Sequence, residues 1–286
     1  MPYLQLGGRL GNQLFQWAYA HYCAIQLGIE TKLFTDKKSF PSGTSDDLSS
    51  MGISCIHLEK PQINNYLGIS LATLDKINSL GFTQVSDAVN SFFGVMRQKD
   101  SYSKIFPDRN TKLITGYFQN IEYILPNKDV LYSELNKVLT LRFDQRKENT
   151  FKIRNYQVIH VRKGDYLTSS GGYKLLADNF FIENSSKDLP VVIATDSPKL
   201  ISNLIQKLKA VFVLEPTNTT AWETLGWMMD ADHLVISNST FSWWGGFLCN
   251  QKGGKVISPD PFQNSLSEIN RTLRFPGFNH VKSVFT

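Results

Sequence analysis

Three short stretches gather the residue types that bind and move charged groups. GGRLGNQ at 7–13 sets an arginine and two carboxamides in a glycine-rich turn, HVRKGDY at 160–166 joins a histidine, two cations and an aspartate, and NSTFSWW at 238–244 puts hydroxyls before an aromatic run. Asp196 follows VVIAT at 191–195. Arginine stays charged at any working pH and grips a phosphate through two N–H groups at once. Hydroxyls before a helical pattern mark a helix start, whose backbone N–H groups favour anions. The set suits a pyrophosphate. Each member alone has a plainer use, because Ser, Thr and Asp commonly cap helices and a lone arginine often makes a surface ion pair. Their recurrence after successive strands points to a ligand.

The first turn also invites a nucleotide-cofactor reading, but it departs from G-x-G-x-x-G, since Leu6 stands two residues before Gly8. Asp36 lies near the place of a ribose-binding acid, yet Arg9 inside the turn and the polar Asn12 and Gln13 do not suit a helix start packed on a dinucleotide. Asp230 and Asp232 form a D-x-D string at a helix end, where residues two apart do not face each other. His233 beside them reads as structural, and the five histidines show no zinc spacing. No nucleophile elbow or P-loop lysine motif is present. Cys23, Cys55 and Cys249 are odd in number and have no CxxC pair, so they read as buried thiols of a reducing compartment. Trp243 and Trp244 are read as helix core ahead of a sugar-stacking role.

The elements that must position these residues alternate. YLQL at 3–6 reads as a strand, the following segment as a helix ending at Gly28, and TKLF at 31–34 as a second strand. From 37 to 110 the periodicity weakens. KLITGYF at 112–118 reads as a strand, 130–143 as a helix, and the polar DQRKENTFKIRN at 144–155 as a linker. Beyond it, strands at 157–161, 191–195, 211–215, 234–238 and 255–259 alternate with helices at 198–210, 220–232 and from 241, the second opening on a Thr220–Glu223 capping box. Apolar strands alternating with amphipathic helices predict parallel, doubly wound sheets, with ligands beyond the carboxyl ends of the strands.

The chain has 286 residues, 42% hydrophobic and 19% charged, with a net charge of +5. It has no basic block of the kind that binds nucleic acid. A strand from residue 3 leaves no room for a signal peptide, and no apolar run approaches the roughly 20 residues of a membrane span. The expected location is cytoplasmic.

GGRLGNQLFQWAYA, HVRKGDY and SNSTFSWWGGFL at 237–248, with TGYFQN at 115–120 and SPDPF at 258–262, resemble the signatures of glycosyltransferase family 11, the bacterial-type α-1,2-fucosyltransferases. The resemblance implies an α/β fold of GT-B architecture, two Rossmann-like doubly wound domains facing across a cleft. Residues 1–150 would form the acceptor side and 151–286 the GDP-sugar side, with the tail after about 265 packing back on the first domain. It implies inverting transfer of L-fucose from GDP-β-L-fucose to the 2-hydroxyl of a galactoside, without metal or other cofactor. Such an enzyme would serve O-antigen or other cell-surface glycan synthesis and could attach peripherally to the membrane through a lipid-linked acceptor. Arg162 would contact the β-phosphate, with His160 and Asp196 toward the guanosine and the Ser239, Thr240, Phe241 turn on the pyrophosphate. Arg9 and Asn12 would lie near the sugar and leaving group, with the Gly8 turn facing the donor and Asp165 as first choice of general base. Lys163 stands where the family commonly has a second arginine, and Ser197 where it often has a second acid. Transfer of another GDP-6-deoxyhexose such as colitose, or non-catalytic glycan or nucleotide binding, are the alternative readings.

Overall fold

The computed structural model describes residues 1–35, 47–54, 56–57, 60–81, 83–150, 153, 155–164, 166, 174–263 and 267–286. Two compact units divide between Lys128 and Asp129.

Unit 1 runs β1 (Tyr3–Leu6), α1 (Leu10–Leu27), β2 (Lys32–Thr35), α2 (Asp47–Ser50), β3 (Ile56–His57), α3 (Lys60–Leu67), α4 (Leu71–Ser79), α5 (Thr83–Phe92), β4 (Val95–Arg97) and β5 (Leu113–Thr115). Its five strands lie in the order β3-β2-β1-β5-β4, all parallel. Leu10, Leu14, Phe15, Trp17 and Ala18 bury one side of α1, and Gly28 ends it in the left-handed region at φ 66, which a glycine adopts without a Cβ penalty. The weak periodicity at 37–110 resolves into short helices and two short strands, β3 and β4, that are too brief to show an alternation.

Unit 2 continues with α6 (Lys128–Thr150), β6 (Gln157–Val161), α7 (Asp178–Asn184), β7 (Val191–Thr195), α8 (Ser202–Lys207), β8 (Phe212–Leu214), α9 (Ala221–Met229), β9 (His233–Val235), α10 (Thr240–Gln251), β10 (Lys255–Asp260), α11 (Ser267–Thr272) and β11 (Asn279–Lys282). Its sheet has the order β11-β10-β9-β6-β7-β8, again parallel. Every residue of β6 and β7 is buried, as a sheet covered on both faces requires, and this explains their unbroken apolar character. The capping box forms: Thr220 accepts from the Glu223 N–H, and the Glu223 carboxylate accepts from the Thr220 N–H at 2.8 Å.

Two expectations change. The linker read at 144–155 is helical through Thr150, because Gln, Arg, Lys and Glu are strong helix formers and the stretch has neither Gly nor Pro to stop it. The division therefore falls near 128 and not at 150. Residues 267–286 are part of unit 2, where β11 pairs with β10 over Ile257–Asp260.

Candidate functional site

In each sheet the strand order reverses beside its first strand, at β1/β5 in unit 1 and at β6/β9 in unit 2. Ligands of open parallel sheets bind at the carboxyl ends of strands flanking such a reversal. The motif residues stand there.

In unit 2, His160 near the end of β6 is bonded across the reversal, its Nδ1 lying 2.8 Å from Ser237 Oγ after β9. The ring is buried and sits 5.6 Å from that of Phe241. Burial, reinforced by the charge on Arg162 and opposed by that on Asp196, keeps it well below the ordinary histidine range. The imidazole is therefore neutral at physiological pH. Ser239 caps α10, its Oγ accepting from the Ser242 N–H at 3.4 Å, while Thr240 and Phe241 open the helix. Ser242 Oγ accepts from the Ser237 N–H at 2.9 Å, which fixes the loop between β9 and the helix.

Arg162 leaves β6 with its Nη1 3.0 Å from Asp196 Oδ2, both side chains largely buried. Asp196 Oδ1 also accepts from the N–H groups of Lys163 at 3.1 Å and Gly164 at 3.2 Å and from the Ser197 hydroxyl at 3.3 Å. Burial alone would raise its pKa, but the Arg162 guanidinium and the two N–H groups hold the carboxyl below its usual value. Asp196 thus ties the β7 end to the β6 end and orients a guanidinium. A Cβ on Gly164 would lie 2.4 Å from Asp196 Oδ2, so the contact requires glycine.

The two departures from the family pattern gain a physical reading. Lys163 Nζ pairs with Asp178 at 2.9 Å, which gives the second cation a structural partner on α7. Ser197 donates to Asp196, where a second acid would repel it. Tyr166 lies beneath Arg162, guanidinium carbon 5.9 Å from the ring centroid, and donates to the Asn238 carbonyl at 3.0 Å. Asn238 Nδ2 donates to the Lys174 carbonyl, so one residue at the reversal holds both Tyr166 and Lys174. Asp165 and Asp36 lie outside the described residues, as does Cys55; Cys23 and Cys249 are buried free thiols.

In unit 1 the glycine turn is consumed internally. The Gly7 N–H donates to Gln16 Oε1 at 3.0 Å, Gln16 Nε2 donates to the Gly116 carbonyl at 2.7 Å, and Gln13 Nε2 donates to the Gly8 carbonyl at 3.1 Å. Gly8 takes φ 75, and a Cβ there would meet Asn12 Nδ2 at 2.6 Å. Asn12 Oδ1 accepts from Gln119 Nε2 at 3.0 Å, across the reversal. Arg9, at the helix N-cap, is exposed. The turn is built to place Arg9 and Asn12, and its Gly7 N–H is already bonded to a side chain.

Gln98, Gln119, Tyr166 and Asn238 were not singled out from sequence, although TGYFQN, GDY and SNST contain three of them. Trp243 and Trp244 are fully buried, Trp243 Nε1 donating to the Leu273 carbonyl at 2.8 Å. They are core and cannot stack on a sugar. Asp230 pairs with Lys252, Asp232 accepts from the Tyr156 N–H, and His233 Nε2 lies 2.8 Å from the Asn184 carbonyl. All three are structural. No helix among the described residues is long and apolar enough to cross a membrane.

Comparisons with known proteins bear on the family and the fold. A family model, Glycosyl transferase family 11, matches residues 3–273. An α-1,2-colitosyltransferase of Escherichia coli is 24% identical over 90% of this chain and 91% of its own. The O-antigen biosynthesis glycosyltransferase WbnK of Escherichia coli is 23% identical over 90% and 93%. Among solved structures, Escherichia coli ADP-heptose LPS heptosyltransferase II superposes with a TM-score of 0.51 at 10% identity, over 98% of this chain and 90% of that one, a likeness of fold alone. The fold is the expected GT-B class of two Rossmann-like α/β units. With the family match covering nearly the whole length, the chain belongs to glycosyl transferase family 11.

Proposed function

We propose that this glycosyltransferase moves L-fucose from GDP-β-L-fucose to the 2-hydroxyl of a galactoside, with inversion to an α-1,2 linkage, in O-antigen or related glycan synthesis. The observation that carries the reading is the Arg162 guanidinium, oriented by Asp196 at the β6 reversal in the same unit as the capped start of α10. The acceptor oxygen attacks the anomeric carbon while the bond to the β-phosphate oxygen breaks and GDP departs with the electron pair. Arg162 and the N–H groups opening α10 meet the charge that grows on the diphosphate, which is stabilisation specific to the transition state. That cationic role needs no metal. Asp196 acts as a positioning residue for Arg162, and His160 and Phe241 form the wall assigned to the nucleoside. Arg9 and Asn12 are assigned to the transferred sugar. The hydroxyl proton goes to a carboxylate, for which Asp165 is the choice.

Colitose is the second reading, favoured by the α-1,2-colitosyltransferase relative. Both are tested by incubating the purified chain with GDP-fucose or GDP-colitose and a lactoside, with and without EDTA, and reading the linkage by NMR. Transfer from GDP-fucose that survives EDTA supports the proposal, and transfer from GDP-colitose alone replaces the donor. Thermal shifts add a readout independent of acceptor: GDP at about 100 times its Kd should stabilise by ~2.7 kcal/mol. Stabilisation by UDP or NAD in place of GDP would overturn the donor class.

A further inference from the structure

Asp196 holds Arg162 at a point. The guanidinium Nη1 meets Asp196 Oδ2 at 3.0 Å, while Oδ1 of the same carboxylate is engaged by the Lys163 and Gly164 N–H groups and the Ser197 hydroxyl. A contact between one nitrogen and one oxygen does not by itself set the plane of a guanidinium, as two parallel N–H···O bonds would. The plane decides where the remaining N–H groups aim, because they lie in one flat fork.

Tyr166 is placed to set that plane. The Arg162 guanidinium carbon stands over the Tyr166 ring, 5.9 Å from its centroid, within the roughly 6 Å of a cation–π contact, and flat guanidinium groups stack on aromatic faces. The arginine side chain is 16% exposed and the tyrosine half-buried, and such contacts strengthen as water is removed from them. The ring is itself tied down. Its hydroxyl donates to the Asn238 carbonyl at 3.0 Å, and Asn238 is a buried residue whose own Nδ2 donates to the Lys174 carbonyl at 3.0 Å. Asp196 follows β7 and Asn238 follows β9, the two strands that flank β6. The guanidinium at the end of β6 is thus reached from both neighbouring strands, by a carboxylate from one and by an anchored aromatic ring from the other.

We propose that Tyr166 is a second positioning residue for Arg162, its ring setting the plane of the guanidinium and its hydroxyl anchoring the ring to the Asn238 backbone; this rests on the part given to Arg162 in the transfer. Packing of the turn after β6 is the plainer role for Tyr166, and it predicts a different pattern of losses.

The first measurement needs no ligand. In the full chain labelled with ¹⁵N-arginine and assigned through Arg162→Lys, the order parameter of the Arg162 Nε–Hε group should lie near the rigid value of about 0.85 in the wild type and fall toward ~0.6 in Tyr166→Leu, with the fold checked by its melting point. An Arg162 group already mobile in the wild type, or as rigid in Tyr166→Leu as before, overturns the proposal. The second measurement is a double-mutant cycle on transfer. Tyr166→Leu should lower kcat roughly three- to thirtyfold in the wild type and less than twofold in an Arg162→Ala background, since there is no guanidinium left to orient. Equal losses in both backgrounds would assign the tyrosine to packing and overturn the proposal. Tyr166→Phe keeps the ring and removes the anchor, so it should fall between wild type and Tyr166→Leu in both measurements; a Tyr166→Phe chain equal to the wild type in both would overturn the Asn238 anchor. The order parameter is read without a donor, so a failed transfer assay and an unheld guanidinium are separate results.

Discussion

At the scale of single residues, Arg162 draws its value from Asp196. A guanidinium presents its N–H groups in a rigid fork, and the Asp196 carboxylate fixes one side of that fork while gathering two backbone N–H groups and the Ser197 hydroxyl. Losing a preorganised donor of developing charge typically costs about 10²- to 10³-fold in kcat. Arg162→Ala is expected to fall by that amount. Arg162→Lys should recover only part, because an ammonium keeps the charge without the fork. Gly164→Ala touches neither charge but pushes a Cβ onto Asp196 Oδ2, and should lower kcat with little change in melting temperature. A Gly164→Ala enzyme within a factor of two of wild type would mean that Arg162 does not depend on the Asp196 seat. Arg162 and Asp196 were legible in the sequence as residues following apolar strands, and His160 as a polar residue near the end of one. Their partnership was not, since it joins positions 33 or more apart and only the strand order makes them neighbours. The Asp196 carboxylate gathers four donors of its own unit, a network that no single stretch of sequence shows.

At the scale of elements, the turn after β5 shows how an irregular loop delivers one side chain. Gln98, just past β4, accepts from the N–H groups of Tyr117 and Phe118 at 2.9 and 2.8 Å and donates to the Ser103 carbonyl. Phe118 is held at φ 53, a region costly for a bulky residue, and its ring stacks on Tyr19 at 3.9 Å. Through this turn Gln119 reaches Asn12. Gln119→Glu replaces a donor by an acceptor facing Asn12 Oδ1, so the Asn12 carboxamide must invert. Transfer should fall about tenfold or more, in kcat more than in donor KM, while the GDP binding proposed for unit 2 stays. A matching loss of GDP-induced thermal stabilisation would assign Gln119 a structural role instead. The regular elements of unit 2 were readable because five-residue strands buried on both faces give unbroken apolar runs. β3 (IH), β4 (VMR) and β11 (NHVK) hold too few apolar residues to make a run, and helix formers without Gly or Pro hid the helical course of 144–150 behind their polarity.

At the scale of the molecule, three buried or half-buried histidines are expected to set the acid limit of stability. His160, His233 and His280 are each held below the ordinary histidine value, by burial first, and all three belong to unit 2. Their folded pKa values lie below the ~6.5 of an unfolded chain, so below that pH the unfolded state binds more protons and stability falls. The contribution is whole above pH ~6.5 and is lost as the pH drops toward the folded values. Asp196, lowered by Arg162 against its own burial, adds a loss of the same sign that begins lower, below pH ~4. Each linked proton is worth about 1.4 kcal/mol per pH unit. The melting temperature should therefore be flat from pH 7 to 8 and decline steadily from 6.5 toward 4. A two-unit chain need not melt as one transition, but four of its five tryptophans, Trp222, Trp227, Trp243 and Trp244, lie in unit 2. Tryptophan fluorescence therefore reports mainly the unit that carries these histidines. His160→Asn keeps a polar partner for Ser237 without a titrating proton, so its decline between pH 6.5 and 4 should be shallower than that of the wild type. Parallel curves would remove His160 from the linkage and leave the acid limit to His233, His280 and the carboxylates.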